Sequence, residues 1–141
     1  MPDMKIKDIL SEMAGALAGT WVIVVADNDG MLLSSWASPD NKLPPETLGG
    51  FIETINSTID SFKQSTTGSG ELDDVIFSMP FSSIVIKPIA YGECFMVVNA
   101  PKTVPLGLIR MTANNYAPKL EQSLPGHEAL LNRDSLKTVV H

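Results

Sequence analysis

Residues 21–36 read WVIVVADNDGMLLSSW, two apolar runs on either side of Asp27-Asn28-Asp29-Gly30. The acidic knot admits two readings, a calcium loop or a turn. An EF-hand loop needs oxygen ligands at its positions 1, 3 and 5, glycine at 6 and glutamate at 12. Setting Gly30 at position 6 puts Asp27 and Asp29 at 3 and 5, but it also puts Val25 at 1 and Trp36 at 12. Neither of those binds a hard cation, and the flanks are strand-like where the loop needs helices. The knot is therefore read as a hairpin turn, because Asp-Gly tolerates the positive φ that short hairpins demand. No metal site is expected.

The reading spreads outward from this hairpin. Residues 21–26 are apolar on both alternating faces, so the sheet they enter is expected to be covered on both sides. Upstream, Ile6, Ile9, Leu10, Met13 and Leu17 recur at helical spacing, with Gly19 placed to stop the helix. Downstream, Leu43-Pro44-Pro45-Glu46 opens a helix that should run to about residue 64. Three short strands follow, at 74–79, 83–89 and 94–99, punctuated by Pro80 and by Tyr91-Gly92. A last helix is expected from near Thr103, with Pro105 in its first turn and a kink or early stop at Pro118. The order is helix, two strands, helix, three strands, helix. That is an α+β chain with a single five-stranded, largely antiparallel sheet and helices on both faces.

The middle helix carries the most information about function. At about 100° per residue, Leu48, Phe51, Ile52, Ile55, Ile59 and Phe62 share one stripe, read here as the side that packs on the sheet. Glu53, Asn56, Asp60 and Lys63 form a solvated face. Gly50, Thr54, Ser57, Thr58 and Ser61 form a third face, small and nearly uncharged. Gly49 and Gly50 each cost about 0.8–1 kcal/mol against alanine inside a helix. Close approach of a second helix to the small-residue face would offset that cost.

Composition narrows the partners. The chain has 141 residues, 44% hydrophobic and 18% charged, which suits one globular domain with a real core. Ten basic against sixteen acidic residues give a net charge of −6, and no stripe of Lys or Arg appears. Neither nucleic acid nor an anionic membrane is an expected partner. The first residues lack an apolar leader and no apolar run could span a bilayer, so a cytoplasmic protein is expected. The only histidines, His127 and His141, follow Pro125, which leaves no imidazole in the body to activate a nucleophile. Cys94, the single cysteine, lies in an apolar strand and reads as a small buried hydrophobe. No phosphate-cradling glycine loop with its lysine is present, and no cofactor or enzymatic activity is expected.

Taken together, WVIVVADNDGMLLSSW, the 43–62 helix, VVNAPKTVPLGLIRM and the meander between them resemble the Roadblock/dynein light chain domain, in particular its bacterial MglB-like members. The resemblance covers about residues 5–124. Residues 1–124 are taken as the domain and 125–141 as a tail, mobile or ordered as a short helix on a partner. The resemblance implies a non-enzymatic module that pairs with itself through the middle helices and meander-edge strands, then docks a Ras-like small GTPase or serves as an adaptor. The expected interface residues are Gly50, Thr54, Ser57, Thr58 and Ser61 on the helix, with Asp74, Ile76 and Ser78 on the edge strand. A small-ligand sensor on a similar α/β sandwich is the alternative.

Overall fold

The structure, a computed structural model, describes residues 2–124 apart from 66, 67 and 69. The expected tail, including His127 and Arg133, lies outside the described residues. Helix α1 (Pro2–Ala16) buries Ile6, Leu10 and Met13, and Leu17 just beyond it is equally buried. Gly19 adopts φ +97°, a left-handed conformation that ends the helix and lets the chain enter the sheet.

Strands β1 (Val22–Asp27) and β2 (Leu32–Ala37) form the antiparallel hairpin that the opening stretch specifies. Its turn is held by the acid that a calcium loop would have used as a ligand. Asp27 Oδ1 accepts hydrogen bonds from the backbone N–H of Asp29, at 2.9 Å, and of Met31, at 3.0 Å. The Gly30 N–H donates to the Asp27 carbonyl at 3.0 Å, and Gly30 takes φ +87°. The pairing slips between Val25 and Ala26, which sit opposite Ser34 and Leu32, so Leu33 is bulged out of register.

Helix α2 (Pro45–Ser65) carries the chain across one face of the sheet to its far edge. There β3 (Val75–Ser78), β4 (Ser82–Ile89) and β5 (Cys94–Pro101) form the meander. The strand order is β2-β1-β5-β4-β3 and every pairing is antiparallel. β1 and β5 occupy the middle and are apolar on both sides, as two-sided burial requires. Between β4 and β5, Ala90 and Tyr91 hold positive φ, and the Ala90 N–H donates to the Glu121 carboxylate at 2.9 Å.

Helix α3 (Leu106–Ser123) starts later than the sequence suggests, because residues 101–104 make a turn and Pro105 stands at the N-cap. The early stop expected at Pro118 does not occur, and the helix continues through it to Ser123. Pro118 and Asn114, whose carbonyl loses its N–H partner, are both exposed, so water can take the missing donor's place. Helices α1 and α3 pack on each other and share one face of the sheet, where Ile23, Val25, Val85, Met96 and Val98 point. A clamp of Glu12, Tyr116 and Lys119 joins the two helices at the surface: Lys119 Nζ lies 3.5 Å from Glu12 and 5.0 Å from the Tyr116 ring centroid. Among the described residues the opposite face carries α2 alone, resting chiefly on β1 and β2 through Leu48, Ile52 and Ile59.

Candidate functional site: the open side of α2 and the edge of β3

One helix cannot cover a five-stranded face. Where α2 leaves β4 and β3 uncovered, two adjoining hollows of about 420 and 400 Å³, both lined by Ile55 and Phe77, form a trough. Phe51 and Thr54 wall the first hollow, Thr58 and Phe62 the second, and Val75 and Ile84 form parts of the floor. Three large rings stand in or beside solvent here: Phe51 is 38% exposed, Phe62 61% and Phe77 41%. The sequence reading had placed Phe51 and Phe62 in the stripe that packs on the sheet, and here the structure corrects it. At 100° per residue they lie roughly 60° and 40° to one side of Leu48, toward Thr54 and Thr58, so the edge of the stripe overhangs the trough.

The small-residue face of α2 is open throughout, with Gly50, Thr54, Ser57, Thr58 and Ser61 all exposed. Part of its polarity is satisfied within the helix. The Thr54 hydroxyl donates to the Gly50 carbonyl at 3.1 Å, which leaves the threonine methyl as the outward group. The two glycines that a helix partner was to explain separate. A Cβ on Gly49 would run into the carbonyl of Gly30, and one on Gly30 would meet the Gly49 carbonyl at 2.5 Å. Gly49 is thus accounted for by the hairpin turn of its own chain. Nothing lies within 4 Å of the place a Gly50 Cβ would take.

The edge strand β3 bonds only to β4, so its outer N–H and C=O groups are unpaired by other strands among the described residues. Its side chains alternate. Ile76 packs toward the α1/α3 core, whereas Val75 packs with the α2 cluster and Phe77 lines both hollows of the trough. Asp74 and Ser78 are tied to charges elsewhere in the chain. Arg110 on α3 donates from Nε to Asp74 Oδ2 at 2.8 Å and from Nη2 to Oδ1 at 3.4 Å. That hydrogen bond, then the charge behind it, raises Arg110 above its already high pKa. Lys102 Nζ donates to Ser78 Oγ at 2.6 Å. Phe77, which the sequence reading passed over, lines both hollows, and Val75, also passed over, lines the second. Of the expected edge residues, Ile76 and Ser78 border the first hollow and Asp74 the second.

Chemistry elsewhere in the body is muted. Cys94 is 8% exposed, and burial, reinforced by the carboxylates of Asp27 and Glu93, pushes its thiol up to about 11. It stays protonated at neutral pH and is a poor nucleophile. Among the described residues no group of three or more His, Cys, Asp or Glu could hold a metal ion, and no helix is long and apolar enough to cross a membrane.

No family profile and no curated protein sequence matches the chain. Solved structures do. An MglB described as having a tetrameric arrangement superposes with TM-score 0.76 at 16% identity, over 87% of this chain and 93% of that one. MglB of Myxococcus xanthus gives 0.73 at 16% identity, over 87% and 92%. A Roadblock/LC7 domain from Streptomyces avermitilis gives 0.65 at 15% identity, over 81% and 96%. The fold is Roadblock-like. Its arrangement is of the MglB type, as the opening hairpin and the meander had suggested.

Proposed function

We propose that the chain is a non-enzymatic regulatory or scaffold module that pairs with itself and, as a dimer, binds a Ras-like small GTPase. The observation that carries this reading is the half-covered α2 face beside an open β3 edge. An uncovered apolar trough next to unpaired strand groups is unfavourable in a lone molecule and suited to a second copy. In the proposed dimer α2 meets α2 across Gly50, Thr54, Ser57, Thr58 and Ser61, and β3 meets β3, extending the sheet. Backbone pairing uses the strand edge, so Asp74, Ile76 and Ser78 border the contact even though their side chains turn toward α3. Phe51, Phe62 and Phe77 fill the trough.

The GTPase part rests on the likeness to MglB structures together with an acidic composition in which no stripe of Lys or Arg runs through the sequence. Regulation requires unequal affinity for the two nucleotide states, since equal affinity shifts no population. Arg110 is already engaged by Asp74, so an arginine inserted in trans is not expected from α3. Stimulation, where it occurs, comes from ordering the GTPase's own residues. The tests are light scattering on the free protein and calorimetry with the small GTPase encoded nearest its gene, loaded with GDP or a non-hydrolysable GTP analogue. A dimer with state-dependent binding supports the reading. A monomer at high micromolar concentration overturns the pairing, and equal binding of both states leaves a nucleotide-blind adaptor.

A further inference from the structure

Strand β3 ends the sheet, and the pairing behind it settles which of its backbone groups face outward. The Met79 N–H donates to the Ser82 carbonyl at 3.0 Å, so Met79 turns its backbone groups toward β4. Bonded and non-bonded pairs alternate along an antiparallel ladder, and the register continues Ser78↔Ser83, Phe77↔Ile84, Ile76↔Val85. Phe77 therefore also faces β4, whereas Ser78 and Ile76 turn their N–H and C=O to the free edge. The next ladder agrees. The Lys102 N–H donates to the Phe81 carbonyl at 3.1 Å, and the same alternation points Ser83 and Val85 toward β5, away from β3. One step before the strand, the pattern brings Asp74 to the edge as well.

A strand that meets its own copy across a two-fold axis pairs antiparallel, and the axis passes through one residue because opposed residues share a face. Asp74, Ile76 and Ser78 map onto themselves only with that axis on Ile76. Ile76 then opposes Ile76, and Asp74 opposes Ser78 on either side of it. An axis on Phe77 sets Asp74 against Pro80, which has no N–H to give. An axis on Val75 sets Ser78 against Leu72, outside the strand. Charge favours the same register. Lys102 Nζ donates to Ser78 Oγ at 2.6 Å, and no carboxylate of the described residues forms an ion pair with it. Asp74, held by Arg110, keeps acceptor capacity, since a carboxylate offers about four positions. Directly opposed side chains stand about 5 Å apart at Cβ, so Asp74 of one copy comes beside the Lys102 seated on Ser78 of the other.

We infer that self-pairing through β3 is registered on Ile76 and selected by symmetric Asp74–Lys102 ion pairs between copies, which makes Lys102 a determinant of which chains pair. This register rests on the self-pairing proposed above and goes beyond it in naming the contacts that choose the partner. The experiment uses full chains at low salt, read by analytical ultracentrifugation and, for mixtures, by native mass spectrometry. Lys102→Glu and Asp74→Lys should each weaken self-association by about tenfold or more, because like charges then face each other at both sites. Mixed together, the two variants should form a heterodimer in preference to either homodimer, and the double variant should again pair with itself. A second measurement needs no charge change. In a Cys94→Ala background, mild oxidation should link Ile76→Cys to its copy, because bonded partners lie about 5.5 Å apart at Cα, within disulfide range. Phe77→Cys, two positions out of register with its copy, should stay unlinked. A wild-type monomer overturns the self-pairing and the register together. A wild-type dimer whose mixed variants pair no better than either alone overturns the register only, as does linking at Phe77→Cys or at neither position. Where Asp74→Lys fails to fold, the linking result decides.

Discussion

Beneath α1 and α3 the sheet meets two helices that also pack on each other, and Ile6, Leu10, Met13, Leu17, Ile109 and Leu120 are lost to solvent. On the opposite face, among the described residues, a single helix covers β1 and β2 and leaves a trough over β4 and β3, with Phe51, Phe62 and Phe77 in or beside water. Both faces are built from the same residue types. What separates them is coverage, and coverage decides whether a buried ring contributes to folding or remains available for association.

The sharpest test of that contrast is to make a cavity on the covered side. Leu10→Ala should destabilise the protein by about 2–5 kcal/mol, because the surrounding core collapses only partly into the space. Urea unfolding reads this, and self-association measured on the folded fraction should not change. A loss well below that range would mean the α1 layer is looser than its burial indicates.

The paired glycines give the next largest effect. Gly49→Ala forces its methyl against the Gly30 carbonyl and should cost about 1–3 kcal/mol, as overpacking does. Gly50→Ala, one position on, meets nothing and should instead stabilise the free chain by up to about 1 kcal/mol through helix propensity. Thermal unfolding at a low protein concentration separates the two. Equal effects would show that the hairpin turn does not press on α2.

On the uncovered side the expected change in folding is small. Phe62→Ser should alter the stability of a single chain by no more than about 0.5 kcal/mol, as for surface positions in general. In the proposed dimer it should raise the dissociation constant at least tenfold, read by analytical ultracentrifugation. Wild-type association with a large loss of fold stability would place Phe62 in the core after all.

The subtlest difference appears only in alkali. The Cys94 thiol, on the covered side, titrates higher in the folded protein than in the unfolded chain, so the folded state holds its proton more tightly. Its contribution to stability is complete below pH 9 and is lost as pH rises toward about 11. Cys94→Ala should flatten that part of the pH–stability curve. At neutral pH a disulfide reagent should label native Cys94 far more slowly than the urea-unfolded chain.

Much of this architecture is legible in the sequence because two periods run through it cleanly. The 3.6 period of Ile6, Leu10, Met13 and Leu17 and the two-sided apolar runs of β1 and β5 allow few other folds. The trough is less legible for physical reasons. Strand β3 reads Val-Ile-Phe-Ser, apolar at three successive positions, so alternation gives no hint of which residues turn toward α2. Phe51 and Phe62 belong to the apolar stripe by chemistry, and only the limited width of one helix leaves them outside the core. Gly49 is explained by Gly30, a neighbour that spacing along a helix does not reveal. Pro118 reads as a helix breaker until its exposure is known.

The strand order has a kinetic consequence. β1–β2, β3–β4 and β4–β5 are pairs of neighbours joined by short turns, but β1 and β5 pair across roughly seventy residues of chain. Local hairpins form within microseconds, whereas joining distant segments waits on loop closure. The chain is thus expected to assemble as two halves, with the central seam from Val22–Asn99 to Asp27–Cys94 closing last. Until it closes, the two most apolar strands of the protein each expose an edge with every hydrogen-bonding group in place. The β5 of another copy fits the β1 edge as well as the chain's own, so refolding at high concentration should favour swapped assemblies that dilution prevents.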